Sequence, residues 1–393
     1  MSDPSCPSCG HRGMRTFYET HGVSAHSVLI FNTREEAVGY PKGDIVLGFC
    51  DACGFVSNVR FDPSLHEYSQ KYEETQGFSP TFRAFHEELA RDLIDRYDLH
   101  GKDVIEIGCG KGEFLNLLCE LGNNRGVGFD PAYVIERNRS PARERITFIQ
   151  DFYSEKYTRY HGDFVCCKMT LEHIQPTAEF MRTVRRSVGD RPDTVVFFQV
   201  PDLPRILRER AFWDIYYEHC SYFAAGPLAR LFQGSGFRVL ETWTAYNDQY
   251  LMIEARPAKA VEPAASEINE GIRALWTDVA DFAAHCSAKI DAWKTDLAHM
   301  KKRGDRVVVW GGGSKGVTFL TTLGVSDEIA YTVDVNPYKH GTFLGGTGHA
   351  VVSPQFLREY RPDVVILMNP IYTEEVSRGL RGMGLEPRLI PVQ

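Results

Sequence analysis

Apolar residues return at every third or fourth position through "PTFRAFHEELARDLIDRYDL", the period of a helix with one buried face. "DVIEIGCGKGEFLNLLCELG" changes pattern within itself: a continuous apolar run, a glycine turn, then helical spacing, which predicts strand, turn and helix. Short apolar runs in "NRGVGFDP", "ITFIQDF", "GDFVCCKMTLEHI" and "DTVVFFQVPD" predict four more strands, with helical segments between most of them. That alternation predicts an α/β fold with a parallel, doubly wound sheet. "GFRVLETWTAYNDQYLMIEARP" reads as two closing strands, and "AKAVEPAASE" reads as a linker by its Pro and Ala content. The segment from Ile268 to Gly304 keeps a helical period, either continuous or broken once. The βα rhythm then restarts in "RVVVWGGGSKGVTFLTTLG", "IAYTVDVNP" and "DVVILMNP", which predicts a second, smaller Rossmann-like block.

The first 65 residues read differently, as a β-rich stretch dense in Cys, Gly and Pro. Cys6 and Cys9 in "CPSCG" and Cys50 and Cys53 in "CDACG" form two knuckles of the spacing that wraps a tetrahedral Zn²⁺. With sulfur at all four positions the site is closed, so the expected zinc is structural. The division expected is 1–65 zinc-binding module, 66–258 cofactor-binding domain, 259–303 linker and helical segment, and 304–393 Rossmann-like domain.

A net charge of −8 argues against wholesale binding of a nucleic-acid backbone, which needs a basic face. The start "MSDPSCPSCGHRG" has no apolar signal region and no later run is long enough for a membrane helix, so a cytoplasmic protein with no membrane partner is expected. Cysteines in that reducing compartment are read for metal or packing, not disulfides. The sequence leaves the oligomeric state open.

"VIEIGCGKGEF" puts Glu106, Gly108, Gly110 and Gly112 at a strand end and helix start, where backbone N–H groups face a ligand. Asp130 ends the next predicted strand, where a carboxylate takes ribose hydroxyls. A dinucleotide site is the alternative, but the E-x-G-x-G-x-G form resembles motif I of class I S-adenosylmethionine methyltransferases. That resemblance implies S-adenosylmethionine as cofactor and gives Asp151 in "QDF" the position that meets the adenine.

The whole layout resembles the sugar C-methyltransferases, in the paired cysteines, "TLEHI", "YYEHCSYF" and "WGGGSKG…DVNPYKHGTFLGGT". The resemblance implies a class I methyltransferase fold between a zinc module and a C-terminal domain. It also implies methylation of a small-molecule acceptor, a nucleotide-linked keto-deoxy sugar, at a carbon beside its ketone. Carried onto this chain, it makes His219 the base, with Tyr216 and Glu218 beside it and His173 in the acceptor pocket. The residue types suit that chemistry: an enolate needs a base poised near neutrality, here a histidine oriented by a carboxylate, and a donor for the oxyanion. Tyr217 reads as packing, Tyr222 is undecided, and Lys315 in "GGGSKG" is either a helix-start lysine or part of an anion cradle. "NPIY" at 369–372 reads as an ordinary strand-end turn. The chain departs from the family at "AYNDQYLMIEA", where bulky polar residues replace a His-Gly-Gly turn bordering the acceptor pocket. Two other classes stay open: an O- or N-methyltransferase of another small metabolite, and a non-catalytic zinc-ribbon or cofactor-binding interaction protein.

Overall fold

The computed structural model describes residues 4–66, 68–259 and 265–393. Strands β1 (Arg15–Ser24), β2 (Lys42–Phe49) and β3 (Val56–Asn58) form an antiparallel sheet near the N-terminus. The central sheet takes β4 (Asp103–Ile107), β5 (Arg125–Phe129), β6 (Ile146–Ile149), β7 (Phe164–Lys168) and β8 (Val195–Pro201), all parallel. The two-residue β9 (Ser221–Tyr222) leaves this domain to pair with β3 and completes the N-terminal sheet. The hairpin β10 (Phe237–Ala245) and β11 (Tyr250–Pro257) then closes the central sheet antiparallel to β8. The spatial order is β10-β11-β8-β7-β4-β5-β6.

Residues along a buried strand alternate between faces, and β7 shows what that builds. Phe164 and Cys166 join a core with Phe82, Leu93, Leu115 and Phe197, while Val165 and Cys167 join a second core with Ile105, Phe198 and Phe232. The helix Pro80–Tyr97 covers the first of these faces. Ser79 caps it by accepting from Phe82 N, Pro80 supplies a preset first turn, and Asp98 ends it in the left-handed region at φ 48°.

β12 (Val307–Trp310), β13 (Tyr331–Val333), β14 (Val351–Val352), β15 (Val364–Leu367) and β16 (Arg388–Pro391) form a second parallel sheet, ordered β14-β13-β12-β15-β16. The helix Ala265–Arg303 runs unbroken, which settles the helical period of this segment as continuous. Its Phe282 meets the rings of Phe17 and Tyr18, and Arg15 stacks 3.7 Å over Trp276, so one helix face is already covered by β1. Part of the expected linker, residues 260–264, lies outside the described residues. Among those described, no helix is long and apolar enough to cross a membrane.

Candidate active site

A cavity of about 700 Å³ opens at the C-terminal ends of β4, β7 and β8 and is walled on the far side by the β12–β16 domain. Its floor is the glycine turn. Gly108 has φ 71°, and a Cβ there would stand 2.0 Å from the Thr170 hydroxyl, so only glycine lets the two chains approach. Gly110 N donates to Asp130 Oδ2 at 2.8 Å and Ala132 N to Oδ1 at 2.7 Å, which fixes the carboxylate at the cavity edge. Burial raises the Asp130 carboxyl against those two bonds. Glu106 turns inward, its Oε2 accepting from Leu115 N at 3.0 Å, and burial pushes it to about 7. Asp151 lines the cavity but is held by Lys156, by the Tyr157 hydroxyl at 2.6 Å and by Phe152 N at 2.8 Å. A tight glycine cradle with an acid at the next strand end fits S-adenosylmethionine, whose adenosine Asp130 would hold.

His219, His173 and Tyr216 all face this cavity. The His219 ring lies 4.2 Å from that of Tyr216 and 4.8 Å from that of His173, and its Nδ1 finds no hydrogen-bond partner among the described residues. Burial holds its imidazole well below the ordinary value, so the ring is neutral and able to accept a proton. His173 Nδ1 is 2.8 Å from the Tyr68 hydroxyl, and burial lowers this imidazole to about 4.

Glu218 does not orient His219. The two are neighbours in an irregular segment whose side chains diverge. The Glu218 carboxylate instead accepts from Ser27 N at 2.6 Å, from the Ser27 hydroxyl and from the Tyr72 hydroxyl at 3.0 Å, with His26 Nδ1 at 3.3 Å. Burial would raise this carboxyl, but His26, His173 and Ser27 outweigh it and hold it well below the usual range. The carboxyl near His219 is Glu172, from "TLEHI": ligand atoms of Glu172, His173 and His219 all lie within 4.8 Å of one another. Glu172 is 0% exposed and neither of its oxygens has a hydrogen-bond partner among the described residues.

Burial raises Glu172 from 4.5 to about 8. Between those values the folded chain keeps a proton that the unfolded chain has lost, so stability falls as pH rises through that window. Glu172→Gln removes this slope, worth about 5 kcal/mol over the whole window. Thermal melts from pH 5 to 8.5 should show the variant gaining on the wild type as pH rises; parallel curves would refute the assignment.

The Tyr216 hydroxyl points to Asp214 at 3.4 Å. Asp214 is gripped by Arg205 at 2.6 Å and by Lys315 at 2.7 Å, and these two cations outweigh its burial and lower it to about 2. Lys315 also donates to Gln249 Oε1 at 3.2 Å, so it latches the C-terminal domain to the methyltransferase sheet. "NPIY" is more than a turn: Asn369 and Gln249 exchange bonds of 3.0 and 3.1 Å, and the Tyr372 hydroxyl bridges Gln76 and Tyr246. The Tyr246-Asn247-Asp248 turn holds three successive residues at φ near +55°, a region that Asn and Asp tolerate and Tyr disfavours. Tyr217 packs, its hydroxyl accepting from Asp62 N, and Tyr222 belongs to β9 with its hydroxyl on Tyr216 O.

Away from the cavity, Cys6 Sγ lies 3.7 Å from Cys53 Sγ, and Cys9 Sγ lies 3.7 Å from Cys50 Sγ. Tetrahedral Zn–S bonds of about 2.3 Å place sulfurs about 3.8 Å apart. These two pairs are thus already at the separation a zinc ion requires, and all four sulfurs lie within 4.8 Å of one another.

The fold and cavity define a methyltransferase. Residues 82–242 match the methyltransferase domain family and residues 252–384 the C-methyltransferase C-terminal domain family. The chain is 29% identical to the C-methyltransferase NovU of Streptomyces niveus, over 72% of this chain and 70% of that one. Among solved structures it is similar to magnesium protoporphyrin IX methyltransferase of Synechocystis PCC 6803 with bound SAH, at 16% identity and TM-score 0.37, covering 45% of this chain and 84% of that one. A second is 1,6-didemethyltoxoflavin-N1-methyltransferase of Burkholderia thailandensis, at 17% identity and TM-score 0.35, covering 44% and 79%. Both cover less than half of the chain, and the assignment rests on the two domain matches and NovU. The two domain matches and NovU together support an S-adenosylmethionine-dependent C-methyltransferase.

Proposed function

We propose that the enzyme methylates a carbon beside the ketone of a nucleotide-linked keto-deoxy sugar, with His219 as the base and a structural zinc in the cysteine cluster. The observation that carries this reading is a neutral, buried imidazole with an open nitrogen, facing the same cavity as the glycine turn. His219 takes the proton from the carbon, and the C–H electron pair moves to give an enolate with its charge on the former ketone oxygen. Tyr216, ring to ring with His219, is the donor for that oxyanion once its hydroxyl turns from the long 3.4 Å contact with Asp214, and His173 lines the acceptor pocket. Bound S-adenosylmethionine supplies the methyl group that this carbon takes, its sulfonium leaving as a neutral thioether. Lys315, Asn369 and Tyr372 close the cavity from the C-terminal domain, which gives room for an acceptor larger than a bare sugar and keeps water from the enolate.

The test is a panel of nucleotide-linked 4-keto-6-deoxy sugars incubated in D₂O with the enzyme and S-adenosylhomocysteine. Deuterium should enter at the carbon beside the ketone, and with S-adenosylmethionine the same carbon should carry the new methyl group by NMR. Methylation at oxygen or nitrogen without exchange would replace this reading with the O- or N-methyltransferase one.

A further inference from the structure

Lys168 ends β7 beside the glycine turn. Alternation places Glu106, Lys168 and Gln199 on one sheet face, with Lys168 in register with Gln199 on β8 and Glu106 with Cys166 on β7. Lys168 is only 7% exposed, yet it lines the cavity. Its Nζ lies 2.9 Å from His86 Nε2 and 3.6 Å from the centroid of the Phe114 ring. Among the described residues it joins no ion pair; Glu106 is turned to Leu115 N and acts on it only at longer range. Beside it, Gln199 Oε1 also lacks a partner. A buried ammonium without a counter-ion is costly, and a cavity beside it invites an anion. Burial lowers the Lys168 ammonium to about 8, with Glu106 opposing.

The sheet order says which anion. β5 flanks β4 on one side and β7 on the other. With the ribose on Asp130 at the end of β5, and the base toward Asp151 beyond β6, the cofactor's amino-acid arm must cross the glycine turn toward β7. We propose that Lys168, backed by His86, binds the carboxylate of the methionyl arm of S-adenosylmethionine. The imidazole of His86 is held well below its ordinary value by burial and by Lys168, so it accepts from the ammonium and does not compete for the anion. The assignment rests on the placement of the adenosine at Asp130.

Decarboxylated S-adenosylmethionine keeps the sulfonium and the amine and lacks only the carboxylate. By isothermal titration the wild type should prefer S-adenosylmethionine to this analogue by about tenfold to a hundredfold, as expected for a hydrogen bond between charged groups. Lys168→Met should erase that preference while leaving analogue binding within about twofold, and Lys168→Arg should keep most of it. Equal affinity of the wild type for the two ligands overturns the assignment, whether or not the Met variant folds. So does a Met variant that weakens both ligands alike, which would mark Lys168 as structural. A wild type that binds neither overturns the cofactor placement beneath it as well.

Discussion

His219→Ala should lower methyl transfer by about a thousandfold or more, abolish deuterium exchange at the acceptor carbon, and leave S-adenosylmethionine affinity within about twofold. General-base contributions of about a hundredfold to ten-thousandfold set the scale, and the upper part applies because no second base stands ready. His173 is the nearest candidate, but its Nδ1 is engaged with the Tyr68 hydroxyl, whereas Nδ1 of His219 has no partner among the described residues. Glu218 is spent on Ser27, Tyr72 and His26. Glu172 holds its proton up to about 8. Cofactor affinity survives because Gly108, Gly110 and Asp130 follow the ends of β4 and β5 and, among the described residues, share no hydrogen bond with the His219 segment. Titration calorimetry with S-adenosylhomocysteine and NMR of the acceptor separate the two effects. Near-wild-type exchange would remove His219 from the mechanism.

The parts of this arrangement that were legible in the sequence are those written locally. A glycine turn between an apolar run and a helical period, with an acid at the next strand end, reports strand, turn and partner within some thirty residues. The cysteine knuckles do the same at shorter range. What could not be read was direction. "EHC" gives no sign that Glu218 and His219 part company, because an irregular segment has no period to fix where side chains point. Nor does "AHSVLIF" announce that His26 and Ser27 grip a carboxylate 191 positions away. The Asp214–Lys315 pair spans 101 positions and two domains, and "NPIY" acquires its meaning only when Asn369 meets Gln249. Glu172 did carry a usable signal: an acid one residue before a predicted site histidine, on a segment otherwise apolar. The helical period that becomes Ala265–Arg303 was legible in the sequence, but not that β1, more than two hundred positions earlier, covers one of its faces.

Stripping the zinc should abolish activity although the ion is far from the chemistry, while S-adenosylmethionine binding persists. The knuckles are built by Cys50 N donating to Phe55 O at 2.8 Å and Gly54 N to Cys50 O at 2.7 Å, turns that thiolate–zinc bonds would lock. They anchor β2 and β3, and β3 pairs Val56 with Tyr222 and Ser57 with Ser221 on β9. Asn58 N adds a bond to Cys220 O at 2.9 Å, one residue from His219. The zinc proposed for this cluster would therefore set the register of β9, two residues after His219. The same module supplies Ser27 and His26 to Glu218, so one loss would release both sides of the pocket. Structural zinc in small modules binds with an apparent free energy of about 10–16 kcal/mol, more than a short four-stranded sheet can replace by packing. Chelation under mild denaturant should release one zinc per chain, expose residues 15–58 to limited proteolysis and eliminate acceptor exchange. Cys53→Ser, which removes a buried ligand, should do the same without chelator. The central sheet shares one core with Cys6, Cys50, Cys53 and Phe55 but keeps the other, with Phe82, Leu93, Leu115 and Phe197, apart from that module, and should still bind S-adenosylhomocysteine. A fully demetallated chain that keeps both its protease resistance and its turnover would show that the four thiols hold the module together unaided.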